Sequence, residues 1–197
     1  MIKEKAKKIY VGLSVNKWPH VKRVLAFTIL ISEKLKLDKK EREILKISAL
    51  LHDIGYQKQF KVGGKDVHER YSCEMLDKFL KNTYSEEEVD KIKGIISTHS
   101  CFENCKTLQQ KILFDADKLD KTTFGEIIRK SIIFHGKYKM NDLQIFEKFI
   151  ERFKNQKFHL EESKEIATKN LEKLKPVFED YSKFLNFVNK KEEEVNI

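Results

Sequence analysis

The stretch ALLHDIGY, residues 49–56, ends an apolar run with a histidine and an aspartate side by side. The residues around it place apolar side chains at spacings of three and four, which predicts a helix over residues 39–53. Burying an ionisable group is costly unless the group is paired or bound to a metal ion. His52 and Asp53 therefore require a partner where this helix ends, either another ionisable group or a metal ion.

Composition favours helices in the rest of the chain as well. Of its 197 residues, 40% are hydrophobic and 36% are charged, with only 7 Gly and 2 Pro. So few helix-breaking residues predict long helices and one all-α domain. Apolar periodicity predicts the further helices over 20–36, over 67–81, from Ser85 (an N-cap before three glutamates) to His99, from Leu108 to about Ile128, and two in the C-terminal part.

Two segments carry special features. Residues 57–66, QKQFKVGGKD, contain two glycines and three lysines, which predicts a loop that acts as a lid or contacts phosphate. From Ala167 to Val188 apolar residues alternate at spacings of four and three. This pattern is typical of a coiled-coil seam or of a helix packed on its own domain, and we favour packing against residues 143–153. Pro176 predicts a kink in that helix or a division into two.

The net charge of +9 is unevenly distributed. Residues 1–136 carry 27 basic and 19 acidic side chains, whereas residues 137–197 carry 13 and 12. The basic excess in the first two-thirds favours a partner that bears phosphate, either small or polymeric. General solubility explains the charge equally well, so charge alone does not choose between them.

The chain has no apolar run of the roughly 18 residues that a membrane span needs, and residues 1–14 lack the apolar core of a signal peptide. We therefore expect a cytoplasmic protein without membrane contact. In that setting the three cysteines, Cys73, Cys101 and Cys105, are expected to be free thiols. Zinc binding by Cys101 and Cys105 with His99 is a weaker alternative, because their spacing is not that of a common zinc finger.

Several other polar residues continue the apolar stripe of their own predicted helix. One such histidine is usually a hydrogen-bonded core residue, but a group of them with carboxylates indicates a metal site between facing helices of a bundle. Imidazole and carboxylate ligands suit Mn²⁺, Fe²⁺, Co²⁺, Ni²⁺ or Zn²⁺. The residues concerned, besides His52 and Asp53, are His20, His68, His99 and Asp117.

The sequence resembles the HD-domain metal-dependent phosphohydrolases from residue 19 to about residue 130. Five segments carry the resemblance, in the family's order: PHVKRV (19–24), ALLHDIGY (49–56), HERYSCEML (68–76), ISTHS (96–100) and LFDADKLD (113–120). The resemblance implies an all-α, HD-domain-like helical bundle with additional C-terminal helices packed on it. Residues 1–136 would form the phosphohydrolase core and residues 137–197 a C-terminal helical extension of the same domain. No GYP motif follows the core, so the cyclic-dinucleotide phosphodiesterases that carry it are not indicated.

The resemblance also implies a set of metal ligands. The family's ligand positions correspond to His20, His52, Asp53 and Asp117. His68 and His99 match positions that bind a second metal ion in some members and contact substrate or water in others, so one or two ions per chain are expected. Many relatives carry another His-Asp pair before the first ligand, where this chain has NKW at residues 16–18.

Catalytic and substrate-binding roles follow from the same resemblance. Asp53 would bridge two metal ions or, with one ion, orient the attacking water, and Glu69 would either assist or be a surface acid. Asp115 and Asp120 would cap or orient neighbouring groups or be solvated. Phosphate binding requires cations, and the candidates are Arg23, Lys58, Lys61, Lys65 and Arg129.

The predicted function is hydrolysis of a phosphate ester or anhydride of a small molecule, most plausibly a nucleotide, by a metal-activated water. One alternative is a phosphodiesterase or nuclease that acts on cyclic or polymeric nucleotides, with lysines such as Lys39, Lys40 and Lys58 around an open groove. Another is a non-catalytic nucleic-acid-binding or regulatory module. Nucleic acid is not the favoured partner, and the pattern leaves monomer and homodimer open.

Overall fold

Helices account for all the regular structure in the computed structural model, which describes residues 2–13, 17–62 and 68–195. These residues contain no strand, which confirms the predicted all-α fold. The helices are α1 (Ile2–Val11), α2 (Trp18–Lys34), α3 (Lys39–Leu51), α4 (Tyr56–Val62), α5 (His68–Leu80), α6 (Glu86–Ile96), α7 (Leu108–Asp120), α8 (Phe124–Tyr138), α9 (Asp142–Lys154) and α10 (Glu161–Val195), with a short 3₁₀ turn at Phe102–Asn104.

The centre of the bundle is formed by α2, α3, α6 and α7. Helix α2 packs against α7 and α3, and α3 packs against α6. Their apolar stripes meet in a core whose fully buried members include Leu45, Ile92 and Leu113. Helix α1, which the pattern did not predict, covers one side of this core: the Tyr10 hydroxyl donates to the Leu50 carbonyl at 3.1 Å.

Side-chain caps begin several of the helices. The predicted cap at Ser85 is confirmed, since its hydroxyl accepts from the Glu88 amide while the Glu88 carboxylate accepts from the Ser85 amide. Thr123 caps α8 in the same region where we predicted one helix to run on to about Ile128. That prediction is wrong, because α7 ends at Asp120 and the cap at Thr123 begins a new helix.

The predicted loop over residues 57–66 is also partly wrong. Residues 56–62 form helix α4, which starts directly after the turn at Gly55 and contains neither glycine nor proline. Lys58 therefore lies on a helix. The side chain of Lys61 lies outside the described part of the chain, as does all of Lys65.

The C-terminal helices pack on the bundle, as predicted. Helix α10 contacts α7 and α2, and its residues Ile166 and Ala167 belong to the same core. It also packs on α9, where the Phe153 and Phe178 rings lie 5.4 Å apart. The structure has one helix on both sides of Pro176, so the predicted division into two helices is wrong. None of the helices in the described ranges is both long and apolar enough to cross a membrane.

Candidate metal centre

Four histidines form two close pairs through the same ring nitrogen, Nε2: His20 with His52, and His68 with His99. In three of them Nδ1 is held by an oxygen: His52 Nδ1 donates to the Ala49 carbonyl at 2.7 Å, and His99 Nδ1 to the Ile96 carbonyl at 2.6 Å. His20 Nδ1 lies 2.6 Å from the Asp120 carboxylate. In the neutral form of each ring, these bonds favour the tautomer in which Nε2 has a free lone pair, which is the form that binds metals.

One half of the site combines two histidines with two carboxylates. His20 Nε2 lies 3.3 Å from His52 Nε2 and 3.5 Å from Asp117 Oδ1. Asp53 Oδ2 lies 3.4 Å from His20 Nε2 and 3.5 Å from His52 Nε2. Donor atoms bonded to one transition-metal ion at about 2.0–2.2 Å are separated by roughly 3.0–3.5 Å when the ligand angles are 90–110°. The spacing of these four atoms therefore fits a single divalent ion.

The other half of the site uses the second oxygen of the same aspartate. Asp53 Oδ1 lies 3.4 Å from His68 Nε2 and 3.5 Å from His99 Nε2, and these two nitrogens are 3.3 Å apart. Asp53 thus presents one oxygen to each pair of histidines. The two oxygens of Asp53 therefore face different histidines.

The two close histidine pairs are themselves an argument for a cation. His20 Nε2 faces His52 Nε2, and His68 Nε2 faces His99 Nε2, each at 3.3 Å. Where both rings of such a pair carry their proton on Nδ1, the two Nε2 lone pairs point into the same space and repel one another. A proton or a metal ion between them removes that repulsion. His20, His52, His68 and His99 are all buried, so water cannot screen it. The donor set therefore fits a bound metal, as the sequence predicted.

The surroundings of His20 and His52 shift the pKa values of these two histidines in opposite directions. Burial lowers the pKa of His52 to about 4, so this ring is neutral and ready to bind a metal. Burial acts in the same direction on His20, but hydrogen bonds to Asp120 and Asp53 outweigh it and raise the pKa of His20 to about 9. Burial would raise the pKa of Asp53, yet the neighbouring Lys17 ammonium and His52 hold it well below its usual value.

Lys17 is a site residue that the sequence analysis missed. Its Nζ lies 2.5 Å from Asp53 Oδ2 and 3.3 Å from the centre of the Tyr56 ring, and Tyr56 in turn stacks on His68. The available signal was the NKW segment, which was noted only as a departure from the family pattern. In the structure, the lysine of this segment places its ammonium group next to Asp53.

Gly55 lies in the turn that follows α3 (residues 52–55, called the HD turn below) and allows α5 to approach this turn closely. A Cβ at this position would lie within 3.0 Å of the His68 carbonyl oxygen, the Ser72 amide nitrogen and the Tyr71 carbonyl carbon. The Gly55 amide donates to the Ser72 hydroxyl at 2.9 Å, and that hydroxyl donates to the His52 carbonyl at 2.7 Å. This contact holds His68 within reach of Asp53.

A buried network of charged side chains contacts the Nδ1 side of the His20 ring. Asp120 accepts from His20 Nδ1 and also from Arg23 Nε, and Arg23 reaches Glu126 at 3.5 Å. Both oxygens of Glu126 accept from Arg129, at 2.7 Å each. Asp120 thus orients a ligand histidine, one of its predicted roles. The guanidinium of Arg23, a candidate for phosphate binding, is turned towards these two carboxylates.

Two further candidate residues lie beside the site. Glu69 is 3.3 Å from His68 Nδ1, on the side of the ring away from Asp53, and it accepts from the Ser100 hydroxyl. Lys58 pairs with Glu74 at 2.5 Å, and its ammonium lies 4.5 Å from the Tyr71 ring centre. Glu69 is thus placed to orient His68, whereas Lys58 is on the outer surface of α4 and α5.

The cysteines take no part in the centre. All three are free thiols, as predicted, and Cys105 donates to the carbonyls of Thr98 and Cys101. In the described part of the chain, no group of side chains with metal-ligand spacing includes a cysteine. Asp115 also lies apart from the metal ligands, since it accepts from the backbone amides of His159 and Leu160 at 2.9 Å.

A cavity of about 260 Å³ opens onto the histidines and is rich in cations. The carboxylates that line it are Asp53, Asp117 and Glu126. The cations that line it are Lys17, Lys118, Lys121, Arg129, Lys130 and Arg152. Of these only Arg129 was predicted, and Arg152 lies on α9. A larger groove, of about 920 Å³ between α9 and α10, is mainly apolar and contains no histidine.

Comparison with known proteins agrees with this geometry. The sequence profile of the HD domain family matches residues 18–122, which is more than half of the chain. The chain therefore belongs to the HD domain family, which confirms the predicted membership. A profile described as the archaeal peptidase A24 C-terminal domain matches residues 94–177, less than half of the chain, and carries no assignment. A search of curated protein sequences gives no match.

Solved structures share the fold at low sequence identity. A predicted HD superfamily hydrolase from an uncultured Thermotogales bacterium is 23% identical, with a TM-score of 0.60 over 98% of this chain and 88% of that one. Bacillus subtilis YpgQ, determined in complex with ADP, is 20% identical, with a TM-score of 0.60 over 98% and 92%. The Lin1889 protein of Listeria innocua is 20% identical, with a TM-score of 0.66 over 94% and 96%.

Proposed function

We propose that this protein is a metal-dependent phosphohydrolase that cleaves a phosphate ester or anhydride of a small molecule, most plausibly a nucleotide. One observation carries the proposal. Four histidine Nε2 atoms and the oxygens of Asp53 and Asp117 converge at the end of a cavity with six cationic side chains. Ligands for a divalent ion next to an excess of positive charge suit the hydrolysis of a phosphate group.

We further propose that the centre binds two divalent ions, drawn from Mn²⁺, Fe²⁺, Co²⁺, Ni²⁺ and Zn²⁺. The support is that Asp53 offers Oδ2 to His20 and His52, and Oδ1 to His68 and His99. When bound, such ions lower the pKa of water and neutralise charge on a phosphoryl oxygen. With one ion only, His68 and His99 would instead contact substrate or water.

Other residues of the chain would orient the metal ligands and bind the phosphate group. Asp120 and Glu69 orient His20 and His68 through their Nδ1 atoms. Lys118, which lies 3.4 Å from Asp117, and Arg129 line the cavity and supply positive charge for the phosphate oxygens. Lys17, paired with Asp53, would have to release this carboxylate to a metal ion and would then be available to the substrate.

A nucleotide is the proposed substrate for two reasons. Bacillus subtilis YpgQ, a structural neighbour, was determined in complex with ADP. The cavity, at about 260 Å³, is just below the roughly 300–1,000 Å³ of most small-molecule sites. It has room for phosphate groups, while the rest of a nucleotide would extend outside it. By contrast, Lys39 and Lys40 line a separate concavity, so within the part of the chain that the structure describes these two lysines do not extend the basic cavity into a groove for a polymer.

The test is metal content and hydrolysis in matched variants. Metal per chain is measured by elemental analysis, and release of phosphate is measured from mononucleotides, nucleoside di- and triphosphates and bis-p-nitrophenyl phosphate. We expect the wild type to bind two ions and to hydrolyse a nucleotide, and His52→Ala and Asp53→Ala to lose both properties. His135→Ala, at an exposed histidine of α8, is the control and should retain both. Unchanged metal content and activity in the two site variants would refute the proposal.

A further inference from the structure

Three cations line the cavity from helices that carry none of the metal ligands. Arg129 and Lys130 lie on α8, and Arg152 lies on α9 in the C-terminal extension. We propose that these three residues, the α8–α9 cationic cluster, form a subsite for a second, non-reacting phosphoryl group. The substrate would then carry at least two linked phosphoryl groups. This inference rests on the proposed function and adds a substrate class and a subsite to it.

The first step of the argument is the charge balance within the cluster. Glu126 is the one carboxylate of the cavity lining that lies on α8 or α9, and both of its oxygens already accept from Arg129. Among the described residues, Lys130 and Arg152 form no ion pair. Two positive charges therefore face the cavity from these helices without a carboxylate of their own at ion-pair distance, and the nearest one on these helices, Glu126, is already bonded to Arg129.

The second step is that these charges are not free in solvent. Lys130 and Arg152 are both partly buried. Burial, with the nearby Arg129 charge, lowers the pKa of Lys130 to about 8, and burial also lowers the pKa of Arg152. Like charges held together in a partly buried place destabilise the fold unless an anion joins them. An anion in the cavity is the natural counter-charge.

The third step separates this cluster from the cations nearer the metal ligands. Lys17 pairs with Asp53, and Lys118 and Lys121 lie 3.4 and 3.9 Å from Asp117. Each of those three cations thus lies beside a carboxylate that is a candidate metal ligand, on the metal side of the cavity. The reacting phosphoryl group would be held by the metal side of the cavity, which leaves the unbalanced charge on α8 and α9 for another phosphoryl group.

The fourth step is the packing that holds Arg152 in place. Its guanidinium lies 5.9 Å from the centre of the Phe134 ring of α8, and Phe134 packs on Phe149 of α9 at 5.8 Å. The Phe134 ring, itself packed on α9, therefore limits the positions that the Arg152 guanidinium can take. A planar guanidinium held in this way binds two phosphate oxygens at once, which a mobile lysine does not do.

The test compares two non-hydrolysable probes, methylphosphonate and methylenediphosphonate, by calorimetric titration of the metal-loaded protein. The variant is Arg152→Gln, and the control is Lys148→Gln, which removes one charge from α9 at an exposed position that pairs with Glu151. We expect Arg152→Gln to weaken diphosphonate binding about tenfold, or about 1.4 kcal/mol. Methylphosphonate binding should change less than about twofold, and the control should match the wild type for both probes.

Metal content after titration is measured for every variant, so that loss of metal to the diphosphonate is not mistaken for weak binding. If Arg152→Gln folds poorly, Lys130→Gln tests the same cluster with the same expected result. Equal binding of the diphosphonate by variant and control would overturn the inference, and so would an equal loss for both probes. If the wild type binds metal and the diphosphonate but hydrolyses no nucleotide, the proposed function fails while the subsite stands.

Discussion

Substituting Gly55 by alanine tests how strictly the HD turn and α5 depend on each other. The new Cβ would lie within 3.0 Å of backbone atoms of His68, Tyr71 and Ser72. These are backbone atoms, so no side-chain rotation relieves the overlap. Ordinary contacts lie at about 3.5–4.0 Å, so α5 would have to retreat by about 1 Å. The hydrogen bond from the Gly55 amide to the Ser72 hydroxyl would be lost with it.

The magnitude follows from these contacts. Overpacking of this kind costs about 1–3 kcal/mol, and the lost hydrogen bond adds about 1 kcal/mol. For a chain of this size each kcal/mol lowers the melting temperature by roughly 2–4 °C, so Gly55→Ala should lower it by roughly 4–16 °C. Metal sites tolerate only about 0.2 Å in ligand distance, so moving His68 away from Asp53 should abolish the second metal equivalent.

The assay is calorimetric melting of the metal-free protein, followed by titration with Mn²⁺. Gly94→Ala is the matched control, because nothing lies within 4 Å of a Cβ at this helical position. Alanine there should stabilise the protein by about 0.5–1 kcal/mol and leave metal binding unchanged. If the Gly55→Ala protein has the melting temperature of the wild type and binds two ions, the close approach of α5 is not required.

Three further predictions concern the ligands and the fold. Asp120→Asn should weaken Mn²⁺ binding about 10–100-fold in calorimetry, because it removes the carboxylate that orients His20; unaltered affinity would contradict this role. Burial opposes protonation of His20, but Asp120 and Asp53 raise its pKa to about 9, so a metal ion must displace a proton at neutral pH. Apparent Mn²⁺ affinity should therefore rise with pH by up to about tenfold per unit between pH 7 and 9, and a flat profile would argue against it. Ser85→Ala should cost about 1 kcal/mol through loss of its helix cap, measured by thermal melting, with metal content unaltered.

The local pattern was enough to predict most helices and to single out the histidines and aspartates that the fold brings together. Apolar spacing places residues on one face of a helix, so α2, α3, α5 and α6 could be predicted near their observed ends. The N-cap at Ser85 could be predicted because a helix cap involves only residues within one helical turn of each other. Apolar spacing was less informative where a single capping residue ends one helix and begins another. The break at Thr123 was therefore missed, and so was α4, which is too short to show a clear period.

The sequence by itself determined the helical class, the family and the residues able to bind metal, because these depend on residue type and on spacing within a few turns. Tertiary structure alone decided that Asp53 faces two histidine pairs with different oxygens. It also brought Lys17 to Asp53, and Arg152 of α9 into the cavity. Those contacts join segments far apart in the chain, and they depend on how whole helices pack, which no local pattern records.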